Sequence, residues 1–317
     1  MNNSDHQTHN LLMRAYEALS SGQAFGCRDE DELRLLKRFG FLVDKERVSL
    51  EESTELLDEE EISTYLSDKL QGTLQSIEIL PCVNSTNDIL QERSKSMSID
   101  GHILMAEVQT AGRGRRGRKW ETPFGKTIAL TLGVSIDMPA SKVACLSLVV
   151  GVAVADALKS VGLDSVGLKW PNDVLVDGGK LGGILTELVL ATRPVEVIIG
   201  IGINVGSASV IRNIVDYPIA DVCDYVNGRV RNRLVAELIN HVLQQCRLFE
   251  KSGFAPIRER WLHLDAYRDQ RVLVTSPSEQ VQGKAKGLGV NGELLIQTDA
   301  GATRKIIGGD VSLRQTL

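Results

Sequence analysis

The chain has 317 residues, 43% hydrophobic and 24% charged, a globular mix that excludes wholesale disorder. That length suits two domains or one large domain with an appendage. With 36 Lys and Arg against 41 Asp and Glu the net charge is −5, so the molecule as a whole is not a basic nucleic-acid coat. Cys27, Cys82, Cys145, Cys223 and Cys246 lie far apart without a CxxC pair and read as reduced thiols of a cytoplasmic protein. The polar start MNNSDHQTHN lacks a basic segment followed by an apolar one, so no signal peptide is expected. The most apolar run, Val143 to Leu158, is too short to span a membrane and contains Ser147 and Asp156. It reads as a buried helix.

Residues 1–61 hold seven Lys/Arg and fifteen Asp/Glu, a net of −8 against +3 for the remainder, which marks a boundary. Leu11 to Leu19 has helical spacing. Asp29 to Arg38 starts acidic and ends basic, as the helix dipole favours, and Gly40 stops it. FLVD-KE-RVSL predicts a hairpin, and the acidic run 51–61 predicts a linker or an exposed helix start. Beyond Leu74, IEILPCV predicts a strand, and Ser85 caps a helix running to about Met97. HILMAEVQT, TIALTLGVSI and VEVIIGIGIN predict strands. Ala144 to Val161 is a helix, Val166 to Trp170 a strand, and LVDGGKLGGILTELVL a hairpin turning at Asp177-Gly178-Gly179. Leu234 to Phe249 and Ala255 to His263 are helical. Hairpins mixed with one long crossover predict an α+β, mixed-sheet domain rather than a doubly wound one. After Tyr267, short strands separated by Gly and an Asn291-Gly292 turn predict a small β-barrel.

Six cations (Arg113, Arg115, Arg116, Arg118, Lys119 and Lys126) fall within residues 112–126 against one acid, Glu121. Glycines alternate with the arginines, so guanidinium forks and backbone can approach phosphate or carboxylate oxygens; a solvated basic loop and a nucleic-acid patch are the alternatives. Gly112, Gly114 and Gly117 satisfy GxGxxG, but the following Arg-Lys-Trp-Glu-Thr-Pro cannot make the helix a dinucleotide fingerprint needs. Gly125-Lys126-Thr127 resembles the end of a P-loop, yet Trp120 stands where its first glycine belongs. Lys169, ahead of the Pro171-Asn172-Asp173 turn, either snorkels at a rim or reaches into a pocket. Gly179 to Gly183 reads as an ordinary hairpin before a ligand site, and the glycines of Gly200 to Asn204 imply close packing or close ligand approach. The five histidines have no metal-ligand spacing, and no Gly-x-Ser-x-Gly elbow occurs.

Ser85-Thr86-Asn87, Gln109 to Trp120, Lys169 to Asp173, Lys180 to Leu185 and Gly200 to Asn204 together resemble the bacterial biotin protein ligases. The resemblance covers about residues 75–317 and includes a closing Gly308-Gly309-Asp310-Val311-Ser312-Leu313-Arg314. It implies residues 1–65 as a reduced winged-helix-like region, 66–267 as a biotin/lipoyl ligase catalytic domain and 268–317 as an SH3-like barrel. It implies biotin and ATP as substrates, with Mg²⁺ bridging ATP phosphates, no protein metal site, and a biotinyl-adenylate intermediate. The acceptor would be a lysine of a carboxylase carrier domain. Ser85, Thr86, Asn87 and Gln109 would hold the ureido ring, and Trp120 would cover it, with Gly182 nearby. Arg113, Gly114 and Arg115 would follow the biotin tail and phosphates. Arg118, Lys180 and Asn204 would serve the nucleotide, and Arg115 and Lys169 would be catalytic. The Arg-rich loop would order on ligand binding. A bifunctional ligase and biotin-operon repressor, or a lipoate ligase, are the alternatives, and a homodimer is compatible. Residues 20–28 are too short for the middle helix of a helix-turn-helix. Asp29 to Glu32 would turn four carboxylates toward DNA phosphates, so operator binding is not expected.

Overall fold

The structure, a computed structural model, describes residues 3–275, 280–307 and 312–315. The chain begins with α1 (Asn3–Ser20), β1 (Phe25–Gly26), α2 (Glu30–Arg38), β2 (Leu42–Asp44) and β3 (Arg47–Ser49). Asp29 starts α2 by accepting the backbone N–H groups of Asp31 and Glu32 at 3.0 and 2.9 Å. The expected hairpin forms, with Asp44 opposite Arg47 and Lys45 in the left-handed region at the turn, and the sheet order is β1-β3-β2. No helix separates α1 from α2. The core of this small unit is not its own alone. Leu12, Leu36, Phe41 and Val48 form one cluster with Cys82, Val108 and Phe124 from the main body of the chain. Phe124 lies 4.8 Å from the Phe41 ring and donates its N–H to Phe39 O at 2.8 Å.

The acidic segment departs from expectation. It does open α3 (Glu59–Tyr65), capped by Asp58, which is followed by α4 (Asp68–Gln71). The residues before α3, however, are not a solvated linker. Glu55 is buried, accepting from the backbone N–H of Arg231 and from the Asn232 side chain. Arg231 is buried against Glu107 at 2.6 Å and also donates to Glu55 O and Thr127 O. Lys126 pairs with Glu51 at 2.6 Å and is buried, so it is not a member of the Arg-rich loop. The segment is retained because each buried carboxylate meets a donor, which offsets its desolvation.

The main body runs β4 (Ser76–Val83), α5 (Thr86–Arg93), β5 (His102–Gln109), β6 (Thr127–Ile136), α6 (Ala140–Val143), α7 (Leu146–Ser160), β7 (Val166–Lys169), β8 (Asp173–Val176), β9 (Gly179–Leu190), β10 (Val195–Asn204), α8 (Ala208–Ile211), α9 (Arg231–Ser252) and α10 (Ala255–Leu264). The helix after Ser85 ends at Arg93 rather than near Met97, which is exposed. The helix expected over Ala144 to Val161 forms as α7, beginning two residues later at Leu146, with the short α6 ahead of it. The seven strands are ordered β4-β5-β6-β10-β9-β8-β7; β4 and β5 are parallel across α5, and the other pairs are antiparallel. Leu130, Leu132, Ile199, Ile201 and Ile203 face α7 and α9 in the main core. Period-two alternation therefore turns Ala129, Thr131, Gly200 and Gly202 to the opposite face, where the site lies.

The chain closes with β11 (Arg271–Thr275), β12 (Gln280–Leu288), β13 (Leu294–Gln297), β14 (Thr303–Ile306) and β15 (Ser312–Gln315), an antiparallel sheet ordered β14-β13-β12-β11-β15. Of the closing motif, Gly308 to Val311 lie outside the described residues. Trp170, buried at 2% exposure, donates Nε1–H to Gly292 O at 3.0 Å and so ties this sheet to the main body. All five cysteines are free thiols; burial pushes Cys82 and Cys246 up to about 12 and Cys145 and Cys223 up to about 11.

Arg231→Ala strands Glu107 and is expected to cost about 3–5 kcal/mol in urea unfolding. A cost below about 1 kcal/mol would show that the buried pair does not hold the acidic segment in place. Asp265, between α10 and the last sheet, has its carboxyl pushed up to about 6 by burial, with one oxygen unpartnered. Its folded pKa exceeds the unfolded value, so its contribution is greatest when it is protonated and is lost as pH rises through 6. Asp265→Asn should flatten the stability curve between about pH 4 and 6; a curve as steep as the parent's would refute this.

Candidate active site

The cavity on the open face of the sheet measures about 790 Å³ including its mouth. Its floor is neutral and polar. Ser85 accepts the Asp88 N–H and starts α5, which delivers Thr86 and Asn87 to the floor. Thr86 N–H donates to Gln109 Oε1 at 2.8 Å, and the two hydroxyls of Thr86 and Thr131 lie 2.7 Å apart. Thr131 Oγ1 is 2.7 Å from Asn87 Oδ1, and Asn87 Nδ2 donates to Glu187 at 2.7 Å. Thr86, Asn87, Gln109 and Thr131 are all buried, so their polar atoms are preorganised rather than solvated.

The Arg-rich loop folds back over this floor. Bridges at Gln109–Thr122 and Arg113–Lys119 pair its two feet, and Arg115–Gly117 makes a single 3₁₀ turn with Arg116 and Gly117 in the left-handed region. No helix follows its glycines, as the rejected dinucleotide reading requires. Arg113 makes a two-pronged contact with Glu187 at 3.0 and 3.1 Å and reaches Asp88 at 2.5 Å. Burial alone would lower the Arg113 pKa, but the two carboxylates outweigh it and hold the guanidinium above its ordinary value. Trp120 lies on the sheet where Gly202 has no side chain; a Cβ there would stand 2.5 Å from the indole. Its Nε1–H is buried without a hydrogen-bond partner, a donor available to a ligand.

A cationic wall completes the cavity. Lys180 Nζ sits 2.7 Å from Asp173 and lies 6.0 Å from the Trp120 ring and 5.5 Å from the Tyr217 ring. Asp173 also holds Lys169 at 3.2 Å. Burial opposes its ionisation, but Lys180 and then Lys169 keep the carboxyl below the usual range. Asn172 pins the turn by donating to Ile184 O at 2.8 Å. Asn204 donates to Lys180 O and Ala220 O, which returns the following loop to β9 and carries Tyr217 to the cavity.

Of the residues singled out by sequence, Ser85, Thr86, Asn87, Gln109, Arg113, Gly114, Arg115, Arg118, Trp120 and Lys180 line the cavity. Lys169, Gly182 and Asn204 do not. Lys169 stands behind Asp173, Gly182 makes room for the Gly202 carbonyl, and Asn204 acts through the backbone. Lys180 belongs to a hairpin strand and to the cavity at once. Thr131 and Tyr217 line the cavity and Glu187 backs it through Asn87 and Arg113, and sequence reading misses all three; it named Asp173 only as part of the turn after Lys169. Thr131 and Glu187 carry a weak signal, being polar residues inside otherwise apolar strands; Tyr217, in a loop, carries none. Among the described residues no group of three His, Cys, Asp or Glu is placed to hold a metal, and no helix is long and apolar enough to cross a membrane.

A mixed sheet with this cavity defines a ligase of the biotin/lipoate type. Residues 79–204 match the biotin/lipoate A/B protein ligase family, and residues 269–314 match the biotin protein ligase C-terminal domain. The chain is 34% identical over 275 residues to the bifunctional ligase/repressor BirA of Salmonella typhimurium, covering 86% of this chain and 83% of that protein. It is 36% identical over 265 residues to the biotin–[acetyl-CoA-carboxylase] ligase of Mycobacterium tuberculosis, covering 80% and 95%. The biotin protein ligase of Aquifex aeolicus in complex with biotin and ATP superposes with a TM-score of 0.66 at 28% identity, covering 77% of this chain and all of that one. The chain belongs to the biotin protein ligase family.

Gly202→Ala forces the indole off the sheet. It should cost about 1–3 kcal/mol and shift Trp120 emission to longer wavelength. An unchanged spectrum and unfolding midpoint would show that the indole does not lie there.

Proposed function

We propose that this chain activates biotin with ATP and transfers the biotinyl group to a lysine of a carboxylase carrier domain. The carrying observation is the division of one cavity into a neutral hydrogen-bonding floor and a cationic mouth. A cyclic urea is a neutral polar ring that is costly to bury unless paired, and the Thr86, Asn87 and Gln109 floor under Trp120 suits it. The triphosphate needs cations, supplied by Arg115, Arg118 and Lys180 at the mouth. The Tyr217 and Trp120 rings beside Lys180 offer flat faces for a base. A biotin carboxylate oxygen attacks the α-phosphorus and pyrophosphate leaves. A carrier lysine amine then attacks the acyl carbon, AMP leaves, and the amine's surplus proton is lost. The carboxylates near the mouth are already paired with lysine or arginine, so Mg²⁺ would be held chiefly through phosphate oxygens and water, where it would neutralise phosphate charge. The same floor favours biotin over lipoate, whose dithiolane ring brings no N–H donors.

In this reading the charge stabiliser is Lys180, whose ammonium lines the cavity, rather than Lys169, which pairs with Asp173. The repressor activity in the names of the BirA relatives is not extended to this chain. The first turn of α2 carries Glu30, Asp31 and Glu32, which oppose DNA phosphates. Deleting residues 1–65 is not a clean separation of the two readings, because it would uncover Phe124 and Cys82 and strip Glu55 from Arg231. Operator binding is better assayed on the full chain.

Biotin-dependent ATP–pyrophosphate exchange is the test. The unmodified protein should exchange, Lys180→Ala should lose about a hundred- to thousandfold, and Lys169→Ala should lose less. Absence of biotin-dependent exchange in the unmodified protein would end this reading, and a larger loss for Lys169→Ala would reverse the assignment of the two lysines.

A further inference from the structure

We propose that Glu187 is a positioning residue that sets the direction of the hydrogen-bond chain in the cavity floor, and so selects a ring bringing N–H donors; this rests on biotin being the ligand. An ionised carboxylate can only accept. Glu187 takes both Arg113 nitrogens at 3.0 and 3.1 Å and Asn87 Nδ2 at 2.7 Å. With its NH₂ turned to Glu187, Asn87 presents Oδ1 to Thr131 Oγ1, 2.7 Å away, and the Thr131 hydroxyl must donate to it. That hydroxyl has one proton, so toward Thr86 Oγ1, also at 2.7 Å, Thr131 can only accept. The Thr86 proton then goes to Thr131 or to Gln109 Oε1 at 3.1 Å. In either case no proton from the chain of side chains reaches Thr86 Oγ1, and its lone pairs remain for a ligand donor. A urea N–H satisfies them; a dithiolane sulfur would leave them buried and unpaired.

The Glu187→Gln substitution keeps the size and reverses the logic. Arg113 offers only donors, so the new carbonyl oxygen turns to Arg113 and the new NH₂ turns to Asn87. Asn87 must then flip, and Thr131 accepts from it and donates to Thr86, which fills one of the two Thr86 lone pairs and turns the Thr86 proton away from Thr131, toward Gln109 or the ligand's own N–H. Thr131→Val removes the hydroxyl through which that reversal reaches Thr86, without touching Arg113 or any charge.

Steady-state exchange on the full chain separates this from a merely structural role. Glu187→Gln should raise KM for biotin about tenfold, with kcat and KM for ATP within about threefold of the parent. Thr131→Val alone leaves the Thr86 lone pairs open and should change KM for biotin by less than about threefold. The Glu187→Gln, Thr131→Val double variant should return toward the Thr131→Val value, because the reversal reaches Thr86 only through the Thr131 hydroxyl. A double variant as poor as Glu187→Gln, an unchanged KM for biotin in Glu187→Gln, a tenfold rise in Thr131→Val alone, or an equal rise in KM for ATP would overturn the proposal. These results leave the ligase reading intact, whereas absent exchange in the unmodified protein would overturn that reading and this one together.

Discussion

A trench without Cβ atoms crosses the middle of the sheet, and the site depends on it. Gly200 leaves the space taken by the Asn87 carboxamide, Gly202 that taken by the Trp120 indole, and Gly183 lies opposite Gly202 on the neighbouring strand. With side chains at these positions α5 could not lower its first turn onto the floor, and the Arg-rich loop could not fold back over it. The strands tolerate the glycines because their alternate residues, Ile199, Ile201 and Ile203, are buried against α7 and α9. One face supplies the stability that the other gives up.

The second constraint is electrostatic. A loop of arginines beside two lysines would repel itself were the cations not divided between carboxylates and ligand. Arg113 is held by Glu187 and Asp88, and Lys169 and Lys180 share Asp173. The residual positive charge is thereby placed at the mouth, where phosphate would enter, and kept away from the floor, where a neutral ring would sit. The same economy recurs outside the site: Glu107, paired with Arg231, also accepts the Leu57 N–H, and Glu51 pairs with Lys126, which stitches the acidic segment to β5 and to the start of β6, the strands that carry Gln109 and Thr131.

This stitching changes the meaning of the N-terminal unit. Its apolar core includes Phe124, four residues beyond Trp120, so one foot of the Arg-rich loop rests in that core. In this unit β1 and no helix lie between α1 and α2, and the first turn of α2 is acidic. It is integrated with the catalytic body through packing and buried charge, not tethered beside it.

Much of this was written in the chain itself. Strand alternation, the Ser85 cap, the Asp177-Gly178 turn and the alternation of glycine with arginine are local patterns, and local geometry follows from them directly. They placed the mixed sheet, the loop and most of the cavity's lining. What only the tertiary structure decided was pairing at long range. Glu55 read as part of a linker or exposed helix start and Lys126 as one of a ligand-facing loop's cations, and only the approach of α9 to Glu55 and of Glu51 to Lys126 lets the two be buried. Lys169 read as a rim or pocket lysine and Lys180 as part of an ordinary hairpin, and the registers of β7 on β8 and of β8 on β9 bring both to Asp173 while only Lys180 lines the cavity. Glu187 lies a hundred residues from Asn87 and seventy-four from Arg113. No local pattern joins residues so far apart; the fold brings them within hydrogen-bonding distance because a carboxylate half-buried in a sheet must find donors wherever the chain can deliver them.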